Sequence, residues 1–330
     1  MDENIIIKDI VGFDDLENQF QKTVLSRKNQ TWMLIGKRGI GKRTLSMRFA
    51  GYVINNFDEN WKDSDLTNEV FSKKSDNLFY VTSLDEKNSG KISKDQIDIL
   101  SSKFKLFSYN ANFRVVIIDK FNWLTNAAMN SMLKILEEPP SGVYFFLIVD
   151  ELKNVLPTIQ SRSQKLFFKN LSLNECKSIL ENNNILKEKN SINETIKLAN
   201  YSPGLSYEIS SFHGVQLYQE LLDTFSNKKS IRNFSKKVIS ITKNTISNIW
   251  ITEFIIKRLL HNCLRFSVDK KFQEETTILN EDKVIQTIIK TKNSNDLLEI
   301  LDDLNYRIKR VKVFNLSLEL EVFQFLNKFH

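Results

Sequence analysis

Short continuous runs of apolar residues alternate with segments of helical repeat over the first half of the chain. Such runs are typical of strands buried on both faces of a parallel sheet, and their alternation with helices favours a doubly wound α/β fold. After Gly214 the chain contains neither glycine nor proline. Turns between strands need those residues, so we predict an all-helical region there. The predicted strands are residues 32–35, 78–81, 114–119, 144–149 and 165–168.

Capping and helix-breaking residues indicate where the predicted helices begin and end. Two boxes, Ser93-x-x-Gln96 and Ser172-x-x-Glu175, each precede an apolar repeat and are typical of helix starts. The pair Pro139-Pro140 ends the helix before it, whereas residues 55–77 are polar and are predicted to be irregular. The predicted domains are an α/β domain at 1–170, a helical lid at 171–213 and an all-helical domain at 214–330.

A glycine-rich loop follows the first predicted strand and precedes a helix with apolar residues at every fourth position. Inward-turned backbone amides, a lysine and a helix N-terminus together form a cradle for polyphosphate. The usual motif places Ser or Thr, a magnesium ligand, directly after the lysine. Arg43 stands at that position here, and Thr44 comes one residue later. The candidate nucleotide-binding residues are Gly36, Gly39, Gly41, Lys42, Arg43, Thr44 and Asp119.

We therefore predict a loop of phosphate-binding ancestry whose catalytic capacity is damaged. A glycine-rich loop with a lysine by chance is the alternative, and nucleotide binding stays open. Asp119 is the candidate acid of the site because an acid at the carboxyl end of a parallel strand lies where open α/β sheets bind ligands. The next residue is Lys120, a cation at neutral pH that cannot accept a proton from water.

Composition narrows the classes of function. The formal net charge is +7, which is compatible with nucleic acid or an acidic partner, and no apolar run is long enough to span a membrane. The first histidine is His213, so a histidine triad or histidine zinc site is excluded from the amino-terminal half. Cys176 and Cys263 lack metal-ligand spacing and Met1–Asn4 lacks signal-peptide features, so we expect a cytoplasmic protein. The helical spacing around Cys263 predicts a core residue.

Four motifs within residues 1–170 together resemble the clamp-loader branch of the AAA+ ATPases. They are Gly36-x-x-Gly39-x-Gly41-Lys42, Val115-Val-Ile-Ile-Asp119, Thr125-x-x-Ala128-x-Asn130-x-x-Leu133-Lys134-x-Leu136-Glu-Glu-Pro-Pro140 and Leu156-Pro-Thr-Ile-x-Ser161-Arg162. The Leu-Glu-Glu-Pro-Pro string beside a Ser-Arg pair is typical of bacterial clamp-loader subunits. Among these, the degenerate loop is most similar to the delta-prime subunits of DNA polymerase III.

This resemblance implies an AAA+ P-loop domain, a small helical lid and a helical collar that joins five subunits in a ring. The family opens the sliding clamp and places it on primed DNA, while motor subunits hydrolyse ATP. The implied partners are thus motor and delta subunits in a heteropentamer, with the clamp and primed DNA reached through that complex and no membrane.

The resemblance also implies that this chain hydrolyses no ATP itself. Where family members have an acid that accepts a proton from water, this chain has Lys120. The position of the polar sensor is Val149 or Asp150, and that of the arginine sensor is Leu205. With Arg43 at the magnesium-ligand position, four parts of the phosphoryl-transfer machinery are missing or altered.

Arg162 is the candidate catalytic residue, acting in trans. In this family the Ser-Arg pair lies at the subunit boundary and reaches the neighbour's nucleotide site; an ordinary surface ion pair is the alternative. The zinc-binding cysteine quartet of many members has no counterpart before Cys176, so we expect no zinc. We expect no required cofactor, with residual ATP or ADP binding open. Lys134 could approach a DNA phosphate, although a solvated helix lysine is the favoured interpretation.

Three other functions compete with this hypothesis. The first is an ATP-hydrolysing clamp-loader motor subunit, a DNA-dependent ATPase, which a turnover assay on the isolated chain would distinguish. The second is a nucleotide-switched adaptor such as a helicase loader, which the Leu-Glu-Glu-Pro-Pro string disfavours. The third is a nucleic-acid-binding protein driven by net charge, disfavoured because basic residues are spread without aromatic interleaving.

Overall fold

Two compact units make up the described part of the chain. The computed structural model describes residues 11–25, 30–83, 91–106, 113–183, 191–226, 230–242, 248–268, 278 and 281–329. The first unit comprises the described residues up to Ile179 together with Ser202–Gly204, and the second comprises Leu180–Tyr201 and the residues from Leu205 onward. The domain boundaries at residues 170 and 213 remain a prediction, and the amino-terminal Met1–Asn4 lies outside the described residues.

The first unit is built on a parallel sheet, as the sequence predicted. Within the described residues five strands form it, in the order β2-β3-β4-β1-β5, and every pairing is parallel. Each strand lies within one residue of its predicted position. The strands are β1 (Thr31–Ile35), β2 (Leu78–Val81), β3 (Arg114–Ile118), β4 (Val143–Val149) and β5 (Gln164–Phe167).

The apolar runs of the sequence explain which strands lie at the centre. All seven residues of β4 and all five of β1 are buried, whereas the edge strands β2 and β5 are partly exposed. Strands covered on both faces need apolar side chains at successive positions rather than at alternate ones. The continuous run Val143–Val149 therefore becomes a central strand beside the glycine loop.

Helices cover both faces of this sheet. The helices of the first unit are α1 (Asp14–Val24), α2 (Lys42–Ile54), α3 (Asp65–Phe71), α4 (Lys94–Leu106), α5 (Asn126–Glu137) and α6 (Pro157–Ser161). On one face Phe20 of α1 stacks on Phe49 of α2, with 3.9 Å between ring centroids. On the other face Phe121, Met132 and their apolar neighbours pack against Phe145.

Local capping chemistry sets the helix ends that surround the site. Both predicted capping boxes are confirmed: the backbone N–H groups and side chains of Ser93 and Gln96 bond reciprocally, and so do those of Ser172 and Glu175. Helix α5 ends at Glu137, two residues before the proline pair, because proline lacks the N–H that a helix needs.

The prediction of an irregular segment at residues 55–77 is wrong. A 3-10 turn at Trp61–Asp63 leads into α3, and the start of α3 is tied to α2 by the side chain of Asn55. The Asn55 amide donates to the carbonyl of Gly51 and to the hydroxyl of Thr67, and its oxygen accepts from the hydroxyl of Ser64. Within the described residues no group of three or more His, Cys, Asp or Glu side chains could hold a metal ion.

The second unit is helical throughout its described residues, as predicted. Its apolar core contains Cys263, fully buried as predicted; burial raises the pKa of that thiol to about 12. None of the helices in the described ranges has the length and apolarity needed to cross a lipid bilayer. Helix α7 (Leu173–Asn182) spans the boundary between the units. The helices that follow are α8 (Ile192–Leu198), α9 (Pro203–Ser211), α10 (Gly214–Phe225), α11 (Ile231–Thr242), α12 (Ile249–Val268), α13 (Glu281–Thr291), α14 (Ser294–Phe314) and α15 (Leu318–Leu326).

We predict that Asn55→Ala lowers the free energy of unfolding by about 1–3 kcal/mol, because the hydroxyl of Ser64 loses its acceptor and the hydroxyl of Thr67 loses a donor. Chemical denaturation followed by far-UV circular dichroism measures this. Asn60→Ala is the matched control, since Asn60 is exposed and its side chain caps no helix. A change of no more than about 0.5 kcal/mol in both variants would contradict this role of Asn55.

Candidate functional site

The glycine loop connects the carboxyl end of β1 to the first residue of α2, as the sequence predicted. Gly39 and Gly41 have φ angles of 75° and 112°, in the left-handed region that side chains with a Cβ rarely adopt. Gly41 is the residue before the helix, so the loop turns sharply into the α2 N-terminus. This is the backbone arrangement that exposes amides and a helix dipole to an anion.

Lys42, the lysine of the loop, is buried and fully engaged within the chain. Its ammonium group donates to the carbonyls of Gly36 and Lys37 and to Oδ1 of Asp150, at 2.7 Å in the last case. Only 4% of its side chain is exposed. Burial lowers the pKa of Lys42 below its ordinary value, although the charge and hydrogen bond of Asp150 oppose this shift.

Arg43 and Asp119 form a second ion pair at the same edge of the sheet. The Arg43 guanidinium donates to Oδ2 of Asp119 from Nε at 2.9 Å and also from Nη2, and the hydroxyl of Tyr80 donates to the same oxygen at 2.7 Å. Burial of Asp119 acts to raise the pKa of its carboxyl group. The charge of Arg43 and the hydrogen bond from Tyr80 outweigh burial, so the pKa lies below its ordinary value.

Asp150 was missed as a partner of the loop by sequence reasoning, which considered it only at a sensor position. It follows β4, the strand beside β1, so its carboxylate reaches the loop that follows β1. Asn122 holds its backbone: the Asp150 N–H donates to Oδ1 of Asn122 at 2.7 Å, and the Asn122 amide donates to the carbonyl of Glu151. The signal in the sequence that could have identified Asp150 is its place directly after the apolar run of β4, as Asp119 directly follows that of β3.

Three further residues were singled out from the sequence as candidates or as departures from an active pocket, and the structure shows their surroundings. Lys120, directly after Asp119, has a left-handed backbone with φ of 57°, and its ammonium group lies 4.8 Å from the ring centroid of Trp123. Thr44 is partly buried on the first turn of α2. Leu205, at the expected arginine-sensor position, is buried in the apolar core of the second unit.

The segment Ser202–Gly204 contacts the backbone of the glycine loop directly. The Ser202 hydroxyl donates to the carbonyl of Arg38 at 2.7 Å, and the Gly204 N–H donates to the carbonyl of Gly39 at 2.9 Å. A Cβ on Gly204 would lie 2.9 Å from that same carbonyl oxygen, so the close approach requires glycine. The loop conformation is therefore held by groups of the protein itself.

Arg162 lies elsewhere on the first unit, at the carboxyl end of α6. Its Nη1 donates to the carbonyl of Thr158 at 3.0 Å and its Nη2 to Oε1 of Glu137 at 3.1 Å. The side chains of Arg162 and Glu137 are 39% and 46% exposed. Among its described contacts none involves the glycine loop or Asp119, so the structure brings all the sequence-predicted site residues together except Arg162.

The sequence of this chain is similar to those of several known proteins. The family described as "DNA polymerase III, delta subunit" matches residues 13–172. DNA polymerase III subunit tau of Bacillus subtilis is 29% identical over 169 residues, 50% of this chain and 29% of that protein. DNA polymerase III subunit delta' of Buchnera aphidicola subsp. Schizaphis graminum is 28% identical over 225 residues, 66% of this chain and 63% of that protein. The chain thus spans less than two thirds of the length of either relative.

A solved structure shows the same fold over nearly the whole chain. It is that of a DNA polymerase III gamma subunit-related protein from Thermotoga maritima, which aligns with a TM-score of 0.50 at 18% identity. The match covers 96% of this chain and 98% of that one. The expected architecture, a parallel sheet that carries the glycine loop followed by a helical region, is confirmed.

We predict that Asp119→Asn lowers the free energy of unfolding by about 1–2 kcal/mol at pH 7, because a charged acceptor is lost from the bonds of Arg43 and Tyr80 and Arg43 is partly exposed. Folding lowers the pKa of Asp119. The stabilisation is therefore present above the ordinary pKa of 3.8 and is lost as the pH falls through the lower pKa of the folded state.

Urea denaturation of the natural chain and of Asp119→Asn from pH 7 to pH 3 measures the difference between their free energies of unfolding. It should shrink only below the ordinary pKa of the carboxyl group, and exposed Asp76, replaced by Asn, serves as the control. A difference that persists unchanged at the acid end would contradict this assignment.

Proposed function

We propose that this chain, which belongs to the DNA polymerase III clamp-loader family, is its non-hydrolysing, delta-prime-type subunit. In this role it assembles in the cytoplasm with motor and delta subunits in a heteropentameric ring. The ring loads the sliding clamp on primed DNA, and Arg162 acts at a neighbouring ATPase site. The observation that carries the proposal is the internal pairing of both loop cations, Lys42 with Asp150 and Arg43 with Asp119.

The groups that would hold magnesium are altered in this site. Phosphoryl transfer in P-loop enzymes needs a loop hydroxyl and a strand-end acid to hold the ion. Here a guanidinium occupies the place of the hydroxyl side chain and binds the acid, Asp119, through two N–H groups. A divalent cation would have to displace Arg43 from a carboxylate of which only 6% is exposed. This arrangement supports a site without magnesium-dependent chemistry.

The groups that would bind the phosphates and accept a proton from the attacking water are altered as well. The ammonium group of Lys42, which would approach the β- and γ-phosphates, is neutralised by Asp150. Proton transfer from water also lacks an acceptor, because Lys120 follows Asp119 and a lysine is a cation at neutral pH. Residual ATP or ADP binding would have to separate the Lys42 pair, and no cofactor or zinc is part of the proposal.

Arg162 differs from Arg43 because its guanidinium lies at the surface. An arginine has five N–H donors in a planar fork that suits phosphate oxygens. Two of them bond within the chain, to Thr158 and Glu137, and the side chain is 39% exposed. An arginine supplied in trans raises turnover by roughly 10³–10⁵ in characterised GTPases. Its exposure and its Ser-Arg context support the trans role.

One alternative is an ATP-hydrolysing motor subunit. The specific observation in its favour is that a curated relative is named subunit tau and aligns with half of this chain. The proposal and the alternative differ in one assay, magnesium-dependent ATP consumption by the isolated chain on primed DNA. We expect none above background, and substantial turnover would replace the proposed function with the alternative.

We predict that Arg162→Ala lowers single-turnover ATP hydrolysis at the neighbouring site by at least about tenfold in the reconstituted complex with primed DNA, because transition-state charge on the γ-phosphate loses a donor. Folding and assembly should be unchanged. Lys153→Ala, which removes an exposed surface cation, is the control, and unchanged hydrolysis in both variants would refute the trans role.

We predict that the double substitution Arg43→Thr with Asp150→Asn raises the affinity for Mg-ATP by at least about tenfold over the natural chain, since it frees Asp119 for the ion and Lys42 for phosphate. Nucleotide-dependent thermal stabilisation of the isolated protein measures the affinity. The melting temperature without nucleotide controls for folding. If the natural chain binds Mg-ATP as tightly as the double variant, the internal pairs do not govern binding.

A further inference from the structure

The guanidinium of Arg162 is held by the ends of two different helices. Its Nη1 donates to the carbonyl of Thr158, on α6, and its Nη2 donates to the carboxylate of Glu137, the last residue of α5. Pro157 is in the first turn of α6, and Pro139 directly follows the residue that caps α5. Proline restricts the backbone at both places, so the two anchors come from segments with little conformational freedom.

These two anchors bond to the two different terminal nitrogens of the guanidinium. An arginine carries five N–H donors in a rigid fork, and two are used within the described chain. The side chain is 39% exposed, so another molecule can reach part of it. A long side chain held in one orientation loses less rotamer entropy when a partner binds it.

We propose that Glu137 is a positioning residue for Arg162. It holds the guanidinium in the orientation in which it meets a phosphate of the nucleotide bound by the neighbouring subunit. This inference rests on the proposed function, since it assigns a role to Glu137 through the trans arginine. Glu137 itself contacts no nucleotide in this scheme.

The ion pair between Arg162 and Glu137 is strong enough to orient the guanidinium but too weak to keep it from binding a phosphate group. An ion pair between side chains that are 39% and 46% exposed shifts an equilibrium by no more than about fivefold. Such a pair cannot keep the guanidinium away from a multiply charged phosphate group, which binds arginine through shorter, charge-assisted bonds. It is strong enough to select one side-chain rotamer among several, and that is what positioning requires.

The test uses the reconstituted complex on primed DNA, with ATP hydrolysis measured over a range of ATP concentrations. We expect Glu137→Ala to lower kcat by about two- to fivefold, with KM for ATP unchanged because the neighbour's own loop binds the nucleotide. Glu137→Gln keeps an oxygen that can accept from Nη2, so it should restore kcat to within about twofold of the natural value.

Glu138→Ala is the matched control. Glu138 is the adjacent carboxylate, is exposed, and forms no ion pair with any residue in the described ranges. Its removal changes the net charge by the same amount as Glu137→Ala but leaves both anchors in place, so we expect kcat to be unchanged. In the Arg162→Ala background, Glu137→Ala should have no further effect, since a positioning residue acts only through its partner.

The outcomes separate this inference from the proposed function. If Arg162→Ala itself leaves hydrolysis unchanged, the trans arginine fails and Glu137 has nothing to position. If Arg162→Ala lowers hydrolysis while Glu137→Ala behaves like Glu138→Ala, or raises kcat, the positioning role alone is overturned. A loss in Glu137→Ala that persists in the Arg162→Ala background would show a general structural effect and would likewise overturn it.

Discussion

The carboxyl ends of parallel strands meet at one edge of a sheet, and the chemistry of this protein depends on which charges that edge brings together. Because β4 lies between β1 and β3, Asp150 reaches the loop that follows β1, while Asp119 reaches the first turn of α2. The two cations at the start of that helix, Lys42 and Arg43, therefore each meet a carboxylate. Two positive groups that a phosphate loop would offer to nucleotide are neutralised within the chain.

The groups that pair these charges also help to hold the loop. The loop is held by the ammonium group of Lys42 on two loop carbonyls and by Ser202 and Gly204 on two others. A phosphate loop usually gains much of its order from the bound polyphosphate. Here groups of the protein itself bind four successive carbonyls of the loop.

Arg43 and Arg162 show how surroundings divide one residue type between two roles. The guanidinium of Arg43 is partly exposed, but it binds a nearly buried carboxylate that also accepts from Tyr80. Separating this pair leaves that carboxylate without its cation. Arg162 binds a main-chain carbonyl and an exposed carboxylate, contacts that a phosphate group can supplement or replace at low cost. The first arginine belongs to the internal contacts of the loop, whereas the second lies at the surface.

Local patterns in the sequence determined the strands, most helices, the glycine loop and the acid Asp119 at the end of β3. Apolar periodicity and capping residues act over a few positions, so a single sequence contains them. Residues 55–77 escaped this reasoning because the helix there depends on Asn55 and its partners across a turn rather than on an apolar repeat. Only the tertiary structure decided that Lys42 meets Asp150, Arg43 meets Asp119 and Arg162 meets Glu137. These partners are 108, 76 and 25 residues apart, and their meeting depends on strand order and side-chain orientation, which no local pattern specifies.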